Sequence, residues 1–170
     1  FDFLLLIILY FIISNLYTFL LKRFVFVDLL VLAILYTLRI IAGGLITGIS
    51  VSIWLLSFSI FFFISLASVK RLIELLNYKK LKDKKISGRG YTLKDESIVN
   101  NFAILSGCLS ILVLIFYINS QQVLRLYSSP VILWGICIVM TFWISRIIIV
   151  AKKGKIKDDP IVYAINDKIT

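Results

Sequence analysis

Five apolar runs decide what this chain can fold into, because each is close to the roughly 20 residues a helix needs to cross a bilayer. They cover residues 3–21, 24–46, 52–69, 98–118 and 131–151. With 61% hydrophobic residues in a chain of 170, too little polar surface is left to coat a soluble globule. The expected fold is an all-α, polytopic bundle of transmembrane helices, read as one membrane domain over residues 1–170.

The net charge of +10 is distributed unevenly. Lys22 and Arg23 separate the first two runs. Lys70, Arg71, Lys79, Lys80, Lys82, Lys84, Lys85, Arg89 and Lys94 lie between the third and fourth. Lys152, Lys153, Lys155 and Lys157 follow the fifth, whereas the two other connections carry only Arg125. If basic connections stay in the cytoplasm, the first run passes inward and every later run alternates without conflict. The cations follow the membrane topology instead of forming a separate basic domain, so nucleic acid is not an expected partner.

The chain opens at Phe1, with neither the basic start nor the small-residue cleavage site of a secretory signal. It reads as a piece of a longer protein. Cys108 and Cys137 sit in apolar runs in a chain with no His, and read as packing residues.

The third run continues into "KRLIELLNYKKLKDKK", where Leu72, Leu75, Leu76 and Leu81 among lysines suggest a basic amphipathic helix on the inner leaflet. "ISGRGY" breaks it, and "TLKD" has the form of a capping box, with Thr92 as cap and Asp95 three residues on. Ala103, Ser106, Gly107 and Ser110 recur at helical spacing and predict close helix packing. Pro130 suits the first turn of the fifth helix, and "DDP" at 158–160 reads as the start of another.

Charges inside or beside the runs carry the functional argument. If the apolar part of its helix begins near Leu29, Arg39 lies about 15 Å deep at 1.5 Å per residue, close to the midplane. Insertion scales charge roughly 2.5–3.5 kcal/mol for such a residue, which commonly faces a bundle interior or a wet cavity. Asp28, eleven residues earlier, shares its helix face, and Gly43 leaves room there. Lys22, Asp28, Lys70, Arg71 and Arg89 all belong to the basic side, around a cavity that Arg39 would floor. Cations at a cavity mouth suit a phosphorylated or pyrophosphorylated ligand. Anchoring at the membrane surface is the plainer alternative for Lys22, Lys70 and Arg71, as snorkelling is for Arg39 and Arg146. Gly88-Arg89-Gly90 puts flexible backbone beside a guanidinium, which suits an oxyanion, and no Ser-His-Asp set, zinc spacing or Walker loop is present.

The segments "YTFLLKRFVFVDLLVLAILYTLRIIAGG", "SIWLL", "SLASVKRLIEL", "GRGYTLKDES" and "SRIIIVAKKGKIKDDPIVYAINDKIT" together resemble the UbiA prenyltransferase superfamily. Within it they resemble the decaprenyl-phosphate phosphoribosyltransferases, most specifically at KR-x-x-E-L, G-R-G-Y and D-D-P-x-V-x-A-x-x-D. The resemblance implies a nine-helix fold around a cavity open to cytoplasm and lipid, in a bacterial cytoplasmic membrane. It implies a transferase moving phosphoribose from phosphoribosyl pyrophosphate to a polyprenyl phosphate, in the synthesis of arabinan precursors for the cell envelope. Lys22, Arg39 and Lys70 would hold phosphate groups, with Arg71, Arg89 and Tyr91 carried over beside them.

The superfamily's first Asn/Asp-rich motif, which binds magnesium, would precede this region, and the last span would follow it. The chain then corresponds to the C-terminal portion of such an enzyme, inactive alone, with the Mg2+ ligands upstream. A UbiA-type aromatic prenyltransferase and a non-enzymatic transport module are the alternatives. No catalytic base is assigned.

Overall fold

The computed structural model describes residues 2–80, 89–121, 123, 127, 129–154, 156, 160 and 162–163. All regular secondary structure among them is helical. Helix α1 spans Asp2–Phe19, α2 Val27–Thr47, α3 Ile53–Lys80, α4 Glu96–Ile118 and α5 Leu133–Lys152. All five are long and apolar enough to cross a membrane. Four of them end within a few residues of the apolar runs, and the fifth, α3, extends well past its run.

Local chemistry sets the helix ends. A 3-10 turn at Leu21–Arg23 reverses the chain between α1 and α2. Helix α2 stops at Gly48, whose φ of +69° is one that side chains with a Cβ avoid, and whose N–H bonds the Gly44 carbonyl. Before α4, the Asp95 carboxylate accepts from both the N–H (2.8 Å) and the hydroxyl (2.9 Å) of Thr92. These bonds fix the turn at Leu93–Asp95 that feeds the helix. Another turn, Pro130–Ile132, leads into α5, with the proline at a position whose N–H would have no helical partner.

Helix α3 is the hub, packing on α2, α4 and α5, while α1 lies against α2 and buries none of its own residues. One core joins Val69 and Ile73 of α3 to Ala103 of α4 and to Ile144, Ile147, Ile148 and Ala151 of α5. Small residues bring α3 and α4 together. Ser65 donates to the Ala103 carbonyl across the interface at 2.8 Å. A Cβ on Gly107 would stand 2.8 Å from Ile144 Cγ2 and 3.2 Å from Ser65 Oγ. Between membrane helices, where lipid is as apolar as leucine, close approach of this kind supplies the attraction.

The expected surface helix after residue 69 is not separate. Helix α3 continues unbroken to Lys80, and Leu72 and Leu75 are buried against Tyr91 and Val99. The leucines face protein because the 91–99 segment folds back over them. Leu81, Arg125, Asp158 and Asp159 lie outside the described residues. Pro160 and Tyr163 are helical, and Pro160 is buried.

Gly107→Leu should therefore destabilise the bundle by about 1–3 kcal/mol through overpacking. Gly43→Ala should be neutral or slightly stabilising, because a Cβ there meets nothing within 4 Å. Unfolding of the two variants in detergent, followed by circular dichroism, checks the contrast.

Candidate functional site

Charged side chains from α2, α3 and the α3–α4 connection meet at the basic end of the bundle. Asp28, in the first turn of α2, is 0% exposed, and Arg71 of α3 is 1% exposed. Arg71 Nε donates to Asp28 Oδ2 at 2.6 Å, and its Nη1 donates to Glu74. Glu74 also accepts from Arg89. From α1, Tyr17 donates its hydroxyl to Asp28 Oδ1 at 2.7 Å. Two carboxylates and two guanidiniums balance, so the network carries no net charge into the bundle. The spacing makes it possible: Arg71 and Glu74 are three apart on one helix face. The planar guanidinium fork can serve two carboxylates at once.

The segment after residue 88 is held against this network. Gly90 packs so closely on the Arg23 carbonyl that no Cβ would fit. Tyr91 is 0% exposed and accepts a hydrogen bond from the Phe26 N–H at 3.2 Å. Phe26 needs that support, since it starts α2 at φ +68°, a conformation that costs energy for a bulky residue. Burial pushes the Tyr91 phenol above its ordinary pKa, so it stays neutral.

Beside the network lies a cavity of about 190 Å³, with two unlike ends. Tyr17, Lys70, Arg71 and Arg89 form its polar end and Leu32, Tyr36, Phe63, Leu66 and Ala67 its apolar end, with Pro160 also in the lining. The Tyr36 and Phe63 rings stack on one another in its wall, with centroids 5.0 Å apart. Small-molecule pockets usually run to about 300–1,000 Å³, so this space takes one end of a ligand. A chemical group that is anionic on one side and hydrocarbon on the other matches both walls.

Six residues were expected to bind phosphate, and the structure gathers three at this cavity: Lys70, Arg71 and Arg89. Arg71 is paired with Asp28 through Nε and with Glu74 through Nη1, which suits a positioning role. Lys22 stands half-buried in the α1–α2 turn and does not line the cavity. Tyr91 lies behind the wall, in the core. Arg39 is exposed, not buried, and its Nε and Nη2 donate to the Tyr10 hydroxyl at 3.2 and 2.7 Å. Its guanidinium also sits 5.0 Å from the Tyr36 ring centre. Counting along α2, it lies about 16 Å further along the helix axis than Asp28 at 1.5 Å per residue. The picture of one hollow floored by Arg39 is therefore corrected. Asp28 and Arg39 do share a helix face, but that face meets Tyr17 and Tyr10 of α1 and, at Asp28, also Arg71 of α3, so Asp28 is a buried ion-pair partner instead of a cavity mouth.

Tyr10 and Tyr17 were not singled out from the sequence. The signal was present: two tyrosines seven residues apart fall on one face of an otherwise apolar helix. They answer the Asp28 and Arg39 positions on α2.

Among the described residues, no group of three or more His, Cys, Asp or Glu could hold a metal. Among the described residues, the carboxylates of the adjoining network, Asp28 and Glu74, are paired with arginines. These residues do not fit a magnesium site.

No protein-family model matches the chain, and no solved structure does. The chain is 36% identical over 153 residues to an uncharacterized protein, y4nM, of Sinorhizobium fredii, covering 89% of this chain and 30% of the relative. It is also 36% identical over 140 residues to the nodulation protein NoeC of Azorhizobium caulinodans, covering 82% of this chain and 46% of the relative. The chain thus spans from under a third to under half the length of these curated relatives.

The ion network yields a direct test. Asp28→Leu leaves Arg71 buried with one carboxylate and should cost about 3–5 kcal/mol, whereas adding Arg71→Met should recover most of that loss. Unfolding of the single and double variants in detergent checks it. Additive losses would mean that the two residues are not coupled.

Proposed function

We propose that the chain is the phosphate-handling part of a membrane transferase that moves phosphoribose from phosphoribosyl pyrophosphate to a polyprenyl phosphate. The observation that carries this reading is the two-ended cavity, with Lys70 and Arg89 at one end and the Tyr36–Phe63 stack at the other. A lipid phosphate has the same division. The sequence resemblance to decaprenyl-phosphate phosphoribosyltransferases supports the same choice. The two bacterial relatives support a bacterial membrane, with the basic end on the cytoplasmic side.

The chemistry asks little of the protein in proton transfer. An ionised oxygen of the polyprenyl phosphate attacks the anomeric carbon, the bond from that carbon to pyrophosphate breaks, and pyrophosphate departs with the bonding electrons. No proton has to be removed from the nucleophile at neutral pH, which is why a base-poor site can suffice. Positioning and charge stabilisation remain. Lys70 and Arg89 would supply them, with Arg71 and Glu74 holding Arg89 in place. The apolar end would hold the first part of the prenyl chain.

Membranes expressing the full-length gene product, given labelled phosphoribosyl pyrophosphate and decaprenyl phosphate, should form a solvent-extractable phosphoribosyl lipid. Lys70→Ala should lower kcat/KM about 100-fold or more, the usual size for a lost charge contact in a transition state, while Lys22→Ala should change it less than about twofold. Absence of the labelled lipid, with prenylation of an added ring acceptor instead, would reject the proposal.

A further inference from the structure

A second polar cavity lies on the other face of α3, outside the network described above. It has about 370 Å³, within the ordinary range for a small ligand. Leu72 of α3, the start of α4 with the turn before it, and Lys152 at the end of α5 enclose it. Lys70 and Leu72 are about 200° apart around the helix, so the two cavities back onto opposite sides of α3 at the same basic end.

Its chemistry is specific. Lys94 and Lys152 place two ammonium groups at the rim. Ser97 adds a hydroxyl. Glu96 brings a carboxylate, which Lys79 pairs at 2.8 Å. Asn100, 6% exposed, is part of the lining, and among the described residues its buried Oδ1 has no hydrogen-bond partner. Its Nδ2 makes one long bond, 3.3 Å, to Asn101 Oδ1. A buried acceptor left unpaired costs free energy that a ligand's donor would recover. The rim asks for an anion and the interior for a hydroxyl donor.

We infer that this cavity binds a phosphate ester carrying a free hydroxyl, with Lys94 and Lys152 on the phosphate and Asn100 Oδ1 accepting from the hydroxyl. A glycerophosphate group has both features. Its position at the basic ends of α3, α4 and α5 is where phospholipid headgroups lie, and basic pockets between membrane helices take anionic headgroups. The same group could also arrive on a soluble polyol phosphate, and the two sources separate experimentally.

The test uses the protein in phosphatidylcholine nanodiscs doped with phosphatidylglycerol, with native mass spectrometry counting retained lipid. Phosphatidylglycerol should be retained about tenfold over phosphatidylcholine, a difference of one or two charge-assisted contacts. It should also exceed phosphatidylmethanol, which has the same charge and no free hydroxyl. The Lys94→Gln/Lys152→Gln variant should lose the preference for anionic lipid. Asn100→Leu should lose only the preference over phosphatidylmethanol while remaining folded, since it removes a buried unpaired oxygen. Displacement of the lipid by glycerol 3-phosphate would assign the site to soluble polyol phosphates; no displacement would assign it to the headgroup. Equal retention of phosphatidylcholine, or preferences unchanged in both variants, overturns the inference. The lipid series on the unsubstituted protein decides the matter even if the double variant does not fold.

Discussion

A charge inside an apolar bundle must be met by an opposite charge, and the Asp28–Arg71–Glu74–Arg89 chain is how this protein meets that requirement. Desolvating a single guanidinium costs several kcal/mol, repaid only when geometry and hydrogen bonds are close to complete. Here one arginine is fully buried between two carboxylates, and one carboxylate is shared with a second arginine. The Tyr17 hydroxyl takes the remaining oxygen of Asp28. The result fixes α1, α2, α3 and the residue-89 segment relative to one another at the basic end of the bundle. Tyr91 and Gly90 then fasten that segment to the α1–α2 turn.

This frame explains why the neighbouring cavity has its particular character. The network uses up Arg71, Asp28 and Glu74, so what it presents to the cavity is the Arg89 side together with Lys70. Further along the membrane axis the same two helices contribute only hydrocarbon and rings, closing on the Tyr36–Phe63 stack. A cavity with cationic and apolar lining suits an amphiphilic anion. Arg39 takes no part in that lining. It is held on the α1 side by Tyr10, and its stacking on Tyr36 is its link to the cavity wall.

The helices were legible in the sequence because a span is set by run length and composition, both local properties. The cap at Thr92, the proline start at residue 130 and the small-residue interface at Ala103 and Gly107 were legible for the same reason. The site was legible only as a set of charges. Arg71 and Arg39 are both arginines in apolar surroundings, yet one is buried between carboxylates and the other is exposed beside a tyrosine. That difference depends on which helix stands opposite, which no periodicity within one helix reveals. Leu72 and Leu75, expected to face the membrane surface, meet protein for the same reason: leucines among lysines look alike whether they meet lipid or the folded-back 91–99 segment. Asn100 carried no sequence signal at all, being one of two adjacent asparagines at a helix start.

The central claim is that the two-ended cavity admits a phosphorylated ligand from the basic side. Leu66 lines it and is half-buried. In a background without Cys108 and Cys137, Leu66→Cys should react with a charged, membrane-impermeant thiol reagent added to the basic side. Inorganic pyrophosphate should slow that reaction about tenfold at saturation, and should do so no longer once Lys70 is replaced by Gln. Labelling that ignores pyrophosphate, or a thiol that the reagent never reaches, would contradict the account.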